Sequence, residues 1–141
     1  MNHIEKGDTF LVEMALDQAD PAQFDALLLP GGIRNPDILR TIPDAVRFVR
    51  AMFDGGRPIA AICHAPWMLI EADIVRGYRL TSWPSLKTDI RNAGGQWVDE
   101  ISVTDRQITT SRKPADIPKF NAAMLHLFEE SRTRSQYRAH V

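Results

Sequence analysis

The sequence predicts an α/β domain with a mainly parallel sheet and a small antiparallel hairpin. Short, continuously apolar runs, "DALLLP" and "RPIAAIC", fit strands buried on both faces, as a parallel sheet requires. Segments with helical apolar spacing alternate with them. Proline or paired glycines punctuate the junctions.

Taken in order, "TFLVEMAL" (9–16) partly alternates, with Phe10, Val12, Met14 and Leu16 on one side, and reads as a strand. "DQADPAQF" reads as a loop or short helical turn broken by Pro21. "DALLLP" (25–30) is the first buried strand, stopped by proline and two glycines. From Pro43 to Asp54, residues Ala45, Val46, Val49, Met52 and Phe53 follow helical spacing, and Gly55 and Gly56 supply a stop. "RPIAAIC" is the second buried strand, and "APWMLIEADIV" reads as a helix with Pro66 in its first turn. "YRLTSW" is a short strand and "SLKTDIRNA" a helix ended by Gly94 and Gly95. "QWVDEISV" and "RQITTSR" read as antiparallel strands around a turn near Thr104–Asp105. "DIPKFNAAMLHLFEE" is the last helix. Residues 1–130 thus form one domain, and the basic segment 131–141 reads as a frayed or solvated tail.

Composition narrows the function classes. The chain has 141 residues, 44% hydrophobic and 25% charged, the profile of one globular domain able to bury a core. A formal net charge of -1 gives no bulk attraction to nucleic acid or anionic membrane. No apolar run approaches a membrane span, and "MNHIEKGDTF" carries charges where a signal peptide needs an apolar stretch. One cysteine cannot make an internal disulfide, so a reducing cytoplasm is the expected setting. His3, His64, His126 and His140 are scattered, which argues against a structural metal site.

Cys63 stands where the second buried strand meets a helix. A sharp turn there would lift its side chain out of the sheet, as in a nucleophile elbow of the form small–x–nucleophile–x–small; here it is Ala61-Ile62-Cys63-His64-Ala65. A following helix N-terminus and a nearby cationic histidine both favour a thiolate. Free cysteine is also among the most buried residue types. Local sequence leaves nucleophile and structural filler level. His64 becomes a partner only if the elbow brings both side chains to one mouth and a carboxylate orients the imidazole. In "LLLPGGIRNPD" (27–37), two glycines stand at the carboxyl end of a buried strand, the end of an open α/β sheet where ligands bind, so the Gly32 N–H could face an oxyanion. Neither G-x-G-x-x-G nor G-K-[ST] is present, which disfavours a phosphate cradle.

"DALLLPGG", "NPD", "AAICHAP", "LTSWPSLKTDIRNAG", "WVDE" and "TSRKPADIPKFN" occur in this order and at these spacings. Together they resemble the PfpI-type family, described variously as intracellular protease I, glyoxalase III or protein deglycase, within the class I glutamine amidotransferase-like superfamily. The resemblance runs from about Gly7 to Glu129, and "AICHAP" is its most specific part. It implies a flavodoxin-like sandwich in which Cys63 is the nucleophile and His64 the triad histidine. It further implies that Asp37 of a neighbouring subunit orients that histidine. By the same resemblance, the N–H groups of Gly32 and His64 form the oxyanion hole, and Gly31, Trp83 and Arg112 lie around the pocket. Trp83 stands where relatives often carry tyrosine, so no phenol is available there. Arg112 belongs to the S-R-x-P segment, and a surface salt bridge is an equal alternative for it. No metal or organic cofactor is implied. The implied partners are a small-molecule carbonyl substrate and further copies of the chain, as a dimer or hexamer.

The family normally opens with a strand, a helix and a second strand ahead of "GDTF". That βαβ unit, roughly 30 residues or more, has no counterpart here, so an N-terminally truncated chain or a start upstream of Met1 is expected. The first family strand lies in mid-sheet, and the loop after it carries a glutamate that serves as acid/base. No carboxylate can be assigned to that role from the sequence. A general acid/base contributes about 10²–10⁴-fold, so activity is expected to suffer. Three functions follow: an enzyme acting on small aldehydes or glyoxal adducts, or on amides; a catalytically impaired oligomerisation or scaffold domain; and a sensor whose cysteine is oxidised or alkylated.

Overall fold

The computed structural model describes residues 16–139. The strand read over 9–16 lies outside them except for Leu16, which opens a 3₁₀ turn, Leu16–Gln18. A second turn, Pro21–Gln23, is capped by the Asp20 carboxylate, which accepts from the Ala22 N–H at 3.0 Å.

Strand β1 (Leu27–Leu29) runs parallel to β2 (Ile59–Ile62), with Leu28 opposite Ala60. Two helices join them: α1 (Arg34–Leu39), which the sequence pattern did not reveal, and α2 (Pro43–Asp54), with the bounds its periodicity predicts. The α2 stop is a Schellman turn. The Arg57 N–H reaches the Met52 carbonyl at 3.0 Å and the Gly56 N–H the Phe53 carbonyl at 2.9 Å, with Gly56 at φ +73°. After β2 come α3 (Pro66–Glu71), shorter than "APWMLIEADIV" suggested, β3 (Arg79–Leu80) and α4 (Lys87–Asn92).

"QWVDEISV" is not one strand. Its start, β4 (Gln96–Trp97), pairs parallel with β3 in a separate two-stranded sheet. Its end, β5 (Ser102–Asp105), pairs antiparallel with β6 (Ile108–Ser111). Between them Asp99 and Glu100 turn out to meet Arg112 and Arg79, which draws the chain off the ladder. The hairpin turn falls at Arg106–Gln107, not Thr104–Asp105. There the Gln107 side chain donates to the carbonyls of Phe53 (3.0 Å) and Arg57 (2.9 Å), fastening the hairpin to the end of α2.

The main sheet has the order β1-β2-β6-β5, parallel except at its last pair. Ile59 and Ala61 face a core with α2, α3 and α4, while Ala60 and Ile62 face Phe120 of α5 (Ile117–Ala139). The α5 helix continues through most of the segment read as a tail, to Ala139, with residues 132–135 exposed. Among the described residues β1 pairs only with β2, and Leu28 is 47% exposed. A groove of about 690 Å³ opens beside it, between Asp25–Ala26, the end of α2, and Leu125 and Phe128 of α5. Among the described residues no helix is long and apolar enough to cross a membrane.

Candidate active site

The site forms where β2 leaves the sheet. Residues 63–65 make a tight turn into α3, and Cys63 at its apex has φ +66°, the left-handed region that an L side chain occupies at a cost of about 1–2 kcal/mol. Two hydrogen bonds bracket the strained residue. The Cys63 N–H donates to the Ser111 carbonyl of β6 (3.1 Å), and its own carbonyl accepts from the Trp83 N–H (2.8 Å). Sheet and loop therefore impose the elbow from both sides. Alanines 61 and 65 serve on either side of it because the left-handed residue is the cysteine itself.

Gly31 and Gly32 follow β1 alongside. A Cβ on Gly31 would stand 2.9 Å from the Cys63 Cβ and 3.3 Å from the Ile62 carbonyl oxygen, so only glycine lets the loop pass. Gly32 takes φ +93°. Among the described residues the N–H groups of Gly32 and His64 donate to no acceptor.

The Cys63 sulfur lies 3.2 Å from His64 Nδ1, so the elbow does bring both side chains together. Cys63 is 9% and His64 4% exposed. Among the described residues no carboxylate hydrogen-bonds either side chain; packing holds the imidazole. Trp83 stacks on it with ring centres 5.5 Å apart and planes 23° from parallel, and Trp67 lies across it at 5.0 Å and 55°. Each such aromatic pair contributes about 0.5–1.5 kcal/mol. Burial holds the imidazole below its ordinary pKa, so it stays neutral, the form that can accept a thiol proton.

Trp83 sits at the rim, 37% exposed, and its loop is stapled down: the Thr81 N–H donates to Thr110 Oγ1 (2.9 Å) and the Trp97 indole to Ser82 Oγ (3.0 Å). Trp67 and Arg40 are the residues that sequence reading missed. The Arg40 guanidinium lies 4.3 Å from the centre of the Trp67 ring, and the Trp67 indole donates to Asp89 at 3.3 Å. The available signal was spacing, since residues three apart in a helical turn share a face, as His64 and Trp67 do.

Asp37 lies in the first turn of α1, exposed, and accepts from Arg40 Nε (3.0 Å) and Nη2 (2.6 Å), so within this chain it meets arginine rather than His64. Arg112 follows Ser111 out of β6. Its guanidinium is engaged by Asp116 through Nε (2.9 Å) and Nη2 (3.1 Å), and by Asp99 through Nη1 (2.8 Å). This is the ion-pair alternative, but with one buried carboxylate instead of a surface bridge. Arg112 holds the Asp116 carboxyl below the usual carboxylate range. Among the described residues no three His, Cys, Asp or Glu side chains converge as metal ligands would.

Fold and elbow together define a flavodoxin-like α/β protein with a Cys–His pair at the carboxyl end of its parallel strands. The chain belongs to the DJ-1/PfpI family, whose profile matches residues 2–127. It is 43% identical over 125 residues to protein/nucleic acid deglycase 2 of Escherichia coli, covering 87% of this chain and 72% of that one. It is 43% identical over 111 residues to deglycase TK1284 of Thermococcus kodakarensis, covering 79% and 66%. Among solved structures, Drosophila melanogaster DJ-1beta superimposes with a TM-score of 0.75 at 33% identity, over 86% of this chain and 63% of that one. The chain thus spans about two thirds of the length of these relatives.

Proposed function

We propose that the chain is a cysteine-dependent enzyme acting on small aldehydes or on adducts derived from glyoxals. The observation that carries this reading is the contact between Cys63 Sγ and His64 Nδ1, 3.2 Å, on a strained elbow. Neutral His64 takes the thiol proton as the sulfur attacks the carbonyl carbon. The carbonyl π pair moves onto oxygen, where the N–H groups of Gly32 and His64 receive it. For a 2-oxoaldehyde, a proton then moves from the former aldehyde carbon through an enediol to the neighbouring carbon, leaving a thioester. Water releases it as a 2-hydroxy acid and restores the thiol. Atoms and electrons balance without an external oxidant. Asp37 of a second copy would orient His64 through Nε2, so the working unit is an oligomer.

A second reading, a catalytically impaired scaffold, is favoured by one observation: among the described residues no carboxylate touches Cys63 or His64. Methylglyoxal consumption by the purified chain, with Cys63→Ala beside it, separates the two. The enzyme reading requires consumption that Cys63→Ala abolishes. Consumption that survives the substitution, or none at all, removes it.

A further inference from the structure

We propose that Trp67 is a positioning residue for His64: wedged between Arg40 and the imidazole, it sets the ring plane that puts Nδ1 on the Cys63 sulfur. The inference deepens the reading of Cys63 and His64 as nucleophile and base, and rests on it.

The imidazole has a single hydrogen-bonding contact among the described residues, the sulfur itself, and such a contact does not fix a ring that can turn about its own bonds. Within the chain, its orientation comes from packing. Trp83 stacks nearly flat against it, which limits tilting but still allows sliding within the stacking plane. Trp67 crosses it at 55° and blocks that motion. Trp67 can act as a stop because it is itself held from outside, by the Arg40 guanidinium over its ring and by Asp89 at its indole N–H. The supports come from Arg40, which caps the end of α1, and from Asp89 of α4.

Trp67 is half-buried, pinned at both the ring face and the indole nitrogen, and turned toward His64. The charged or titratable groups of this assembly are Cys63 on the elbow, Asp37 on α1 with Arg40 at its C-cap, and Asp89 on α4; Trp83 brings none.

The test is the rate of Cys63 alkylation by iodoacetamide against pH, which requires no turnover and has one possible thiol. Wild type, Trp67→Leu, Trp67→Phe and His64→Ala are compared. Trp67→Leu should slow the reaction at neutral pH by about tenfold, toward the His64→Ala rate, because misplacing a reacting group by about 1 Å costs up to about 10²-fold. Its acidic limb should move up toward an ordinary imidazole titration, near 6.5. Trp67→Phe keeps an aromatic face but loses the indole hydrogen bond to Asp89, so its rate should fall between those of wild type and Trp67→Leu. A wild-type rate and profile in Trp67→Leu overturns the inference. If Trp67→Leu does not fold, Asp89→Ala decides by freeing the indole from an exposed position: slower alkylation supports the inference and a wild-type rate overturns it. Equal rates in wild type and His64→Ala would show that His64 is no base here. That overturns the functional reading along with this one, and it is visible before any Trp67 variant is made.

Discussion

Gly31 and Cys63 meet so closely that a Cβ on the glycine would stand 2.9 Å from the Cβ of the cysteine. The loop after β1 and the elbow after β2 therefore form one packed unit. Gly31→Ala must push one of them aside, at about 1–3 kcal/mol, the usual range for overpacking. Urea denaturation should show that loss, and iodoacetamide should show slower labelling of Cys63 as the elbow shifts. Unchanged stability and labelling would mean that the loop yields freely.

The left-handed backbone at Cys63 reverses an ordinary preference. At most positions Ala is more stable than Gly, but at φ +66° the Cβ itself is the cost. Cys63→Gly should accordingly be more stable than Cys63→Ala by about 1 kcal/mol. Paired urea titrations check this; an Ala variant equal to or above Gly would place the elbow in a relaxed conformation.

Arg112 and Asp116 form a clamp at the entry to α5, and removing one partner strands a buried charge. Arg112→Met should cost about 3 kcal/mol. Because the folded-state pKa of Asp116 is depressed, its contribution is present above the ordinary value of 3.8 and is lost as pH falls through the lower folded value. The urea midpoint of Arg112→Met, followed by circular dichroism, should therefore lie furthest below wild type near neutral pH, with the gap narrowing as pH falls below 3.8.

His64 acts in the same direction but nearer neutral pH. Its imidazole titrates below 6.5 when folded and near 6.5 when unfolded. As pH drops through that value the unfolded chain takes up the proton first, so stability falls until the folded value is reached. The urea midpoint should decrease between about pH 7 and pH 5.5, and His64→Asn should lack that component.

Legibility in the sequence followed the length and regularity of each element. The β2 strand was readable because a fully buried parallel strand is a continuous apolar run; β1 shows the same run although Leu28 is exposed and only Leu29 of its three residues is buried; and α2 was readable because it has three turns of periodic apolar residues before a glycine pair. Helix α1 was hidden because six residues containing Pro36 cannot display a period. The break inside "QWVDEISV" depends on ion pairs from Asp99 and Glu100 to distant arginines, which no local pattern contains. The same holds at the site. Cys63, His64 and the two glycines were marked by local chemistry, whereas Trp67 looked like one more apolar helix residue. Its partners Arg40 and Asp89 come from other helices, and only the fold brings them together.

The most direct measurement compares the rate of Cys63 alkylation at pH 7 in the native chain, in native His64→Ala, and in the wild-type chain unfolded in urea. A formed elbow with His64 at the sulfur predicts that the native chain reacts about tenfold faster than the unfolded one despite its burial, and that His64→Ala loses the excess. A native chain that labels no faster than the unfolded one would contradict the account, leaving Cys63 a buried structural thiol.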